Sequence, residues 1–189
     1  QITDEGIMMR RDIVEELGYA VNEDGLVEEI KSLDDLTALY EKVKAAYPNT
    51  IMCGSGANGT PLFRWETTDM LTDGFGGLMD FGQSTEVVNI YESDEFRAFA
   101  DLMYAWNQAG YFSSDAMTTT EPTTSQVKAG NTFSYFTPYK AGAIEQDELS
   151  SGYDLCFAEL FGDPYITSYS INFFTWGIAR NSKNPEKAF

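Results

Sequence analysis

The sequence predicts an α/β fold, a single layered domain of short strands and helices. Capped segments with an apolar face of helical period recur along the chain, most clearly over residues 32–48 and 93–110. Between them lie short runs rich in β-branched and aromatic residues that read as strands. No internal repeat and no low-complexity linker interrupts this alternation, which places both kinds of element in one layered unit. The 189 residues are 43% apolar, with 13 Phe, 11 Tyr and 3 Trp, so there is material for a substantial core.

Gly6-Ile7-Met8-Met9 reads as a short strand. Residues 10–17 follow as a helix with Ile13, Val14 and Leu17 apolar, and Gly18 stops it. Residues 21–31 form an acidic loop that turns at Asp24-Gly25. With Gly25 as the invariant glycine of a calcium loop, the first ligand position falls on Ala20 and the last on Lys31; neither can serve, so no metal is expected there. Ser32 is the N-cap of the next helix, with Asp35 in capping-box position. Leu36, Leu39, Tyr40, Val43 and Tyr47 share one face of it, and Pro48 ends it.

Residues 50–53 read as a short strand, followed by Gly54-Ser55-Gly56-Ala57-Asn58-Gly59. The letters match a dinucleotide fingerprint, but the strand is short and Pro61 follows at once. Asp73 and Asp80 also sit among glycines instead of after a second strand. The run reads as a glycine loop beside a cleft. Leu62-Phe63-Arg64-Trp65 opens a helix reaching about Leu71, and Phe63, Arg64 and Trp65 beside a glycine loop suit a binding wall. Gly74-Phe75-Gly76-Gly77 reads as a loop and residues 87–91 as a strand.

Ser93 caps the clearest helix, with Asp94 and Glu95 in its first turn. Phe96, Phe99, Met103, Trp106 and Gly110 mark one face, a pattern of core packing. Asp115 opens a polar, Thr-rich loop, where it suits a ligand hydroxyl or a capping, solvated role. A helix over residues 125–129 stops at Gly130. In the stretch after it, Phe133 and Tyr135 alternate with polar residues as in a strand, which should end at Pro138 because proline cannot donate to a ladder. That leaves Tyr139 just past a strand end, where open α/β sheets hold ligands. Its flat apolar face and polar tip suit a sugar ring or another amphipathic small molecule. Phe133 and Phe136 go to the core, while Tyr135 and Tyr139 fit either core or ligand. Residues 141–149 read as a helix, 153–158 as a strand, Gly162-Asp163-Pro164 as a turn, and 172–179 as a strand carrying Phe173, Phe174 and Trp176. Asn184-Pro185 is a strong helix start that meets the end of the sequence within about a turn, so the chain is expected to be a piece of a longer protein.

Thirty acidic residues against 12 basic ones give a net charge of −18, which disfavours nucleic acid and anionic membranes and predicts a monomer that repels its copies. Histidine is absent, which removes Ser-His-Asp and Cys-His nucleophile pairs and every His-ligated metal site. Cys53 and Cys156 lie in apolar settings and read as buried free thiols. No run approaches the roughly 18 apolar residues of a membrane span. A carbohydrate hydrolase working through two carboxylates has acids to draw on, such as Asp69, Asp80 and Asp115, but no pair stands out. No catalytic residue and no cofactor are expected.

The order of four stretches resembles the maltose-binding-protein-like family (family 1) of extracellular solute-binding proteins of ABC importers. Residues 6–18 are similar to the strand and helix that enter the family's second lobe, and residues 32–48 to its next helix, here introduced by Ser32-Leu33. Lys128-Ala129-Gly130-Asn131-Thr132-Phe133 resembles its passage from helix through glycine to strand. Trp176-Gly177-Ile178-Ala179 and Ser182-Lys183-Asn184-Pro185-Glu186-Lys187-Ala188-Phe189 resemble the return through the hinge. The resemblance implies one lobe of a type II periplasmic-binding-protein-like fold, a small mixed sheet flanked by helices. Residues 1–189 would be the inserted second lobe, with hinge segments near 1–9 and 172–189. It further implies a non-enzymatic, substrate-binding component of an ABC transporter, extracellular as a membrane-anchored lipoprotein or periplasmic. Such a protein passes a small solute, a carbohydrate by aromatic content, to a membrane permease. Tyr139 matches the family's sugar-stacking aromatic, and Leu62 stands where a second stacking Tyr often sits. Tyr139, Trp65 and Trp176 would share one concavity near the chain termini, with Phe63, Arg64, Tyr135 and Asp115 as further contacts.

Overall fold

Ile7, Met8 and Met9 put apolar side chains on both faces of a single strand, and the structure covers both faces. A computed structural model describes residues 2–56, 69–71, 75–80, 82–160, 165–166 and 177–188. The strand, β1 (Ile2–Arg10), lies between β6 (Thr132–Tyr139) and β7 (Leu155–Glu159) and runs antiparallel to both. Beyond β6, β2 (Ile51–Cys53) pairs in parallel, giving the order β2-β6-β1-β7. A strand absent from the sequence reading, β8 (Tyr165–Ile166), pairs with Ile2 and Thr3 at the start of β1.

On one face of the sheet, Ile7, Met9 and Phe136 pack with Leu36, Leu39, Tyr40 and Val43 of α2 (Leu33–Ala46) and Trp106 of α3 (Asp94–Gln108). Helix α1 (Arg11–Glu16) adds Ile13 and Val14 to the same cluster. On the other face, Met8, Tyr135 and Phe157 pack with Val127 of α4 (Thr123–Lys128) and Ala143 and Ile144 of α5 (Ala143–Ser151). The result is a mixed sheet between two helical layers. Two polar side chains of this core are bonded there: Trp106 Nε1 donates to Thr37 Oγ1 at 3.0 Å, and Ser134 Oγ donates to the Met52 carbonyl at 2.6 Å. Ser134 has one hydroxyl proton, so the 2.7 Å contact with Tyr40 is a bond that Tyr40 donates.

The expected caps are present. The Asp35 amide donates to Ser32 Oγ and the Phe96 amide to Ser93 Oγ, both at 3.1 Å. Cys53 and Cys156 are buried free thiols. A last short helix, α6 (Pro185–Ala188), starts where Asn184-Pro185 placed it.

A second sheet differs from the sequence reading. Strands β3 (Asp69–Met70), β4 (Gly76–Leu78) and β5 (Val87–Asn89) form an antiparallel meander, joined to α3 by a 3₁₀ turn at Ile90–Glu92. The helix expected to reach Leu71 therefore does not include Asp69 and Met70, and the expected loop at Gly76-Gly77 is a strand. Pairing with neighbours overrides the weak local tendency of glycine. Likewise β6 runs through Pro138 to Tyr139, opposite Glu5 and Asp4. Its pairing with β2 ends at Ser134, so on that side Pro138 leaves no ladder bond unmade. Residues 177–179, expected in a strand, have no regular structure, and the turn at 162–164 lies outside the described residues. Among the described residues no helix is long and apolar enough to cross a membrane, and no group of three acidic or cysteine side chains is placed to hold a metal.

Candidate functional site

Because β2, β6 and β7 are parallel to one another, their carboxyl ends share one edge of the sheet. Three things lie toward that end: the loop Gly54-Ser55-Gly56 after β2, which leaves the sheet level with Ser134, and, farther along, Tyr139 at the end of β6 and Leu160 after β7. This is the edge at which open α/β sheets take ligands.

Tyr139 is half-buried, and its ring lies 4.8 Å from that of Phe157, tilted by 32°. The two residues belong to strands on either side of β1, and Gly6 is what lets them meet. A Cβ on Gly6 would come within 2.5 Å of Phe157 Cζ and 2.2 Å of the Ala158 carbonyl oxygen. With no side chain there, the fully buried Phe157 leans across the central strand and supports one side of the Tyr139 ring. Tyr139 as a whole is partly exposed.

The glycine loop is fixed as firmly. The Gly54 amide donates to the Ser134 carbonyl at 2.7 Å, which extends the pairing of β2 with β6 by one step. Gln126 Nε2 donates to the carbonyls of Ser55 at 2.7 Å and Glu121 at 3.0 Å, clamping the loop to the segment before α4. Neither Gln126 nor Gly6 stands out in the sequence, since nothing local says which strand lies beside which. The apolar character of Phe157 marks it for a core and gives no hint that it carries Tyr139.

Tyr135 is 2% exposed, and its hydroxyl donates to Asp147 Oδ2 at 2.6 Å. Burial, and then the Asp147 carboxylate, push its ionisation well above the usual phenol range. As placed, its ring is occupied by core packing. Asp115 is exposed, takes a short hydrogen bond from Ser113 Oγ, and its carbonyl receives the amides of Thr118 and Thr119 at 2.8 and 2.9 Å. Phe63, Arg64, Trp65 and Trp176 lie outside the described residues. Of the acids open to a hydrolase, Asp69 is 5% exposed, with its Cβ 2.8 Å from where a Cβ on Gly82 would lie. Asp80 is exposed in the adjoining turn, with φ of 53°.

A separate hollow of about 300 Å³ opens between α1 and α2, lined by Tyr19, Glu29, Asp35 and Lys42 among others. Its polar groups are already engaged. Lys42 donates to Tyr19 Oη at 2.8 Å, Glu29 accepts from the Ala20 amide, and Asp35 closes the Ser32 cap. It is not continuous with the Tyr139 edge in its lining residues.

No family model matches the chain, and no curated protein is similar to it in sequence. Solved structures are similar in fold. An N-glycan transport solute-binding protein (NgtS) from Streptococcus pneumoniae, in complex with Man5GlcNAc, matches 99% of this chain over 39% of its own, at 15% identity and a TM-score of 0.69. The S. pneumoniae ABC-transporter substrate-binding protein FusA, in complex with kestose, matches 88% of this chain over 34% of its own, at 14% identity and a TM-score of 0.52. The sugar-binding protein MalE from Xanthomonas citri matches 85% over 38% of its own, at 14% identity and a TM-score of 0.53. The chain thus spans less than two fifths of the length of each. At such identities the likeness speaks to fold: this chain has the architecture of one lobe of a periplasmic-binding-protein-like fold, a small mixed sheet flanked by helices.

Proposed function

We propose that this chain, over residues 1–189, is the second lobe of the substrate-binding component of an ABC importer, and that it takes a carbohydrate into a cleft between two lobes. The observation that carries the reading is the Tyr139 ring, partly exposed at the carboxyl edge of the sheet and packed against Phe157. A supported flat ring with a hydroxyl tip matches the apolar face and hydroxyl rim of a sugar. The similar structures, an N-glycan transport solute-binding protein, a substrate-binding protein in complex with kestose and a sugar-binding protein, support the ligand class. In this reading Phe63, Arg64, Trp65 and Trp176 complete the rim and Asp115 is a secondary contact, while Tyr135, buried and bonded to Asp147, belongs to the core. The hinge lies near residues 1–9 and 172–189, where β1 begins at the same edge as Tyr139. The whole protein acts as a monomer without bond chemistry, works outside the cell as a lipoprotein or in the periplasm, and hands its solute to a membrane permease.

One lobe supplies half the walls, so the chain alone binds weakly. In NMR titrations with maltotriose, kestose and oligomannosides, at least one sugar is expected to shift Tyr139 resonances with millimolar affinity. Tyr139→Ala should weaken that binding about tenfold, the scale of a lost ring contact. Submicromolar calorimetric affinity of the 189-residue chain would refute the half-site reading. Sugar shifts that leave Tyr139 unmoved would refute the site.

A further inference from the structure

Strand β7 carries one polar side chain on the face where Tyr139 packs. Leu155 and Phe157 belong to the cluster with α4 and α5, while Cys156, Ala158 and Leu160 belong to the opposite one. Side chains alternate along a strand, so Glu159 points to the α4/α5 side. On β6 the same alternation runs from Tyr135 through Thr137 to Tyr139, with Phe136 on the other face. The first four positions of β7 are buried and Glu159 is exposed, so cover on this face stops after Phe157.

The registers set the spacing. Gly6 lies opposite Thr137 on one side and Glu159 on the other. Thr137 and Glu159 therefore stand level, two strand spacings or about 10 Å apart, and the strand between them carries no side chain at that position. Only the Phe157 ring leans into the gap. Tyr139 contacts that ring directly, and Glu159 is the next residue after Phe157 on the same face of β7. The result is an apolar floor with a tyrosine ring on one side and a carboxylate on the other. Among the described residues, the Glu159 carboxylate takes part in no hydrogen bond or ion pair, so its oxygens are open to a ligand.

We infer that Glu159 sets the specificity of the Tyr139 site: it accepts hydrogen bonds from the hydroxyl rim of a sugar stacked on Tyr139, and so selects uncharged sugars over uronic acids. This rests on the reading of Tyr139 as a sugar contact and adds the ligand's charge to it. An ionised carboxylate only accepts, and its two oxygens can take two hydroxyl donors at once. Such charge-assisted bonds are about twice as strong as neutral ones. A carboxylate on the ligand would instead set two negative charges face to face. The net charge of −18 also repels anions from the whole surface. At about 0.15 M salt that general field is screened over roughly 8 Å, whereas a charge in contact with the ligand still acts.

The test titrates maltotriose, kestose and β-1,4-mannotriose, and the β-1,4-mannuronate trimer as the charged counterpart of the last, into the isotope-labelled chain at about 0.15 M salt. Neutral sugars should shift Tyr139 signals, and the mannuronate trimer should bind at least about tenfold more weakly than mannotriose. Glu159→Ala should weaken neutral binding about fivefold to tenfold. Glu159→Gln keeps the shape and one acceptor but loses the charge. It should weaken mannotriose about threefold and strengthen the mannuronate trimer by about as much. Opposite responses of two matched sugars to one substitution are not what a merely structural residue gives. Glu159 is exposed, so both variants should keep the parent's circular dichroism and midpoint of unfolding. If neutral sugars move Tyr139 equally in parent and Glu159→Ala, or the mannuronate trimer binds the parent as well as mannotriose does, the role of Glu159 is wrong and the Tyr139 site stands. If none of the neutral sugars moves Tyr139, both readings fall.

Discussion

The central sheet and the meander use the same residue types for opposite ends. In the sheet, Phe133, Trp106 and Phe157 are at most 1% exposed and pack from both sides. Around the meander, Phe75 just before β4, Val87 on β5 and Tyr91 in the 3₁₀ turn are each at least half exposed, beside strands of only two or three residues. Apolar area removed from water stabilises at about 25 cal/mol per Å². The sheet is thus where more of the folding free energy resides. Tyr139 sits at the border, partly exposed and packed against the core through Phe157.

Substitutions that separate the two regions follow, the largest effect first. Phe157→Ala removes a fully buried ring and the support under Tyr139; it should cost about 3–5 kcal/mol in urea unfolding and lower sugar affinity as well. Gly6→Ala forces a methyl against the Ala158 carbonyl and the Phe157 ring. It should cost about 1–3 kcal/mol and weaken sugar binding without touching the ligand.

Alkaline pH should act on the sheet alone. Burial pushes the thiols of Cys53 and Cys156 up to about 12. Both titrate near 8.5 once unfolded. The folded state holds its thiol protons more tightly, so this stabilisation is complete below pH 8.5 or so and lost as pH rises toward 12. The slope is up to about 1.4 kcal/mol per pH unit for each thiol. Unfolding curves at pH 8 and 10 read it directly, and Cys53→Ala with Cys156→Ala should flatten the difference.

Ser32→Ala removes the N-cap of α2 and should cost about 1 kcal/mol. Bonds from Ser32 and the Lys31 amide hold Asp35 below its usual range, so its contribution is present at neutral pH and lost as acid protonates the carboxylate. In the cap variant, the acid dependence should shrink. The smallest effect belongs to the meander: Val87→Ser should change stability by less than about 0.5 kcal/mol. A large loss there would break the contrast between the regions.

The features legible in the sequence are those with a local cause. Ser32 and Ser93 announce their helices because a hydroxyl bonds an amide three residues on. Gly18 and Gly130 end theirs at φ of 87° and 85°, which other residues resist. What the sequence hides depends on neighbours. Gly76-Gly77 looks like a loop until β3 and β5 flank it, and Thr3-Asp4-Glu5 has little strand tendency until β6 and β8 supply partners. For the site, Tyr139 is legible because proline before it marks a place near a strand end. Its support is not, because Gly6 and Phe157 are more than a hundred residues apart in sequence and meet only through the order β6-β1-β7.

That order has a consequence for how the chain matures. Met9 sits opposite Ser134 on one side and Cys156 on the other. The middle strand therefore emerges before both of its partners, meeting β6 only once residue 139 has been synthesised and β7 only once residue 159 has. Contacts so distant in sequence slow folding and leave sticky strand edges on display. Newly made chains should need a holding chaperone for longer than a helical protein of this size, and pulse-labelling of nascent chains should show β1 among the last segments to gain protection from exchange.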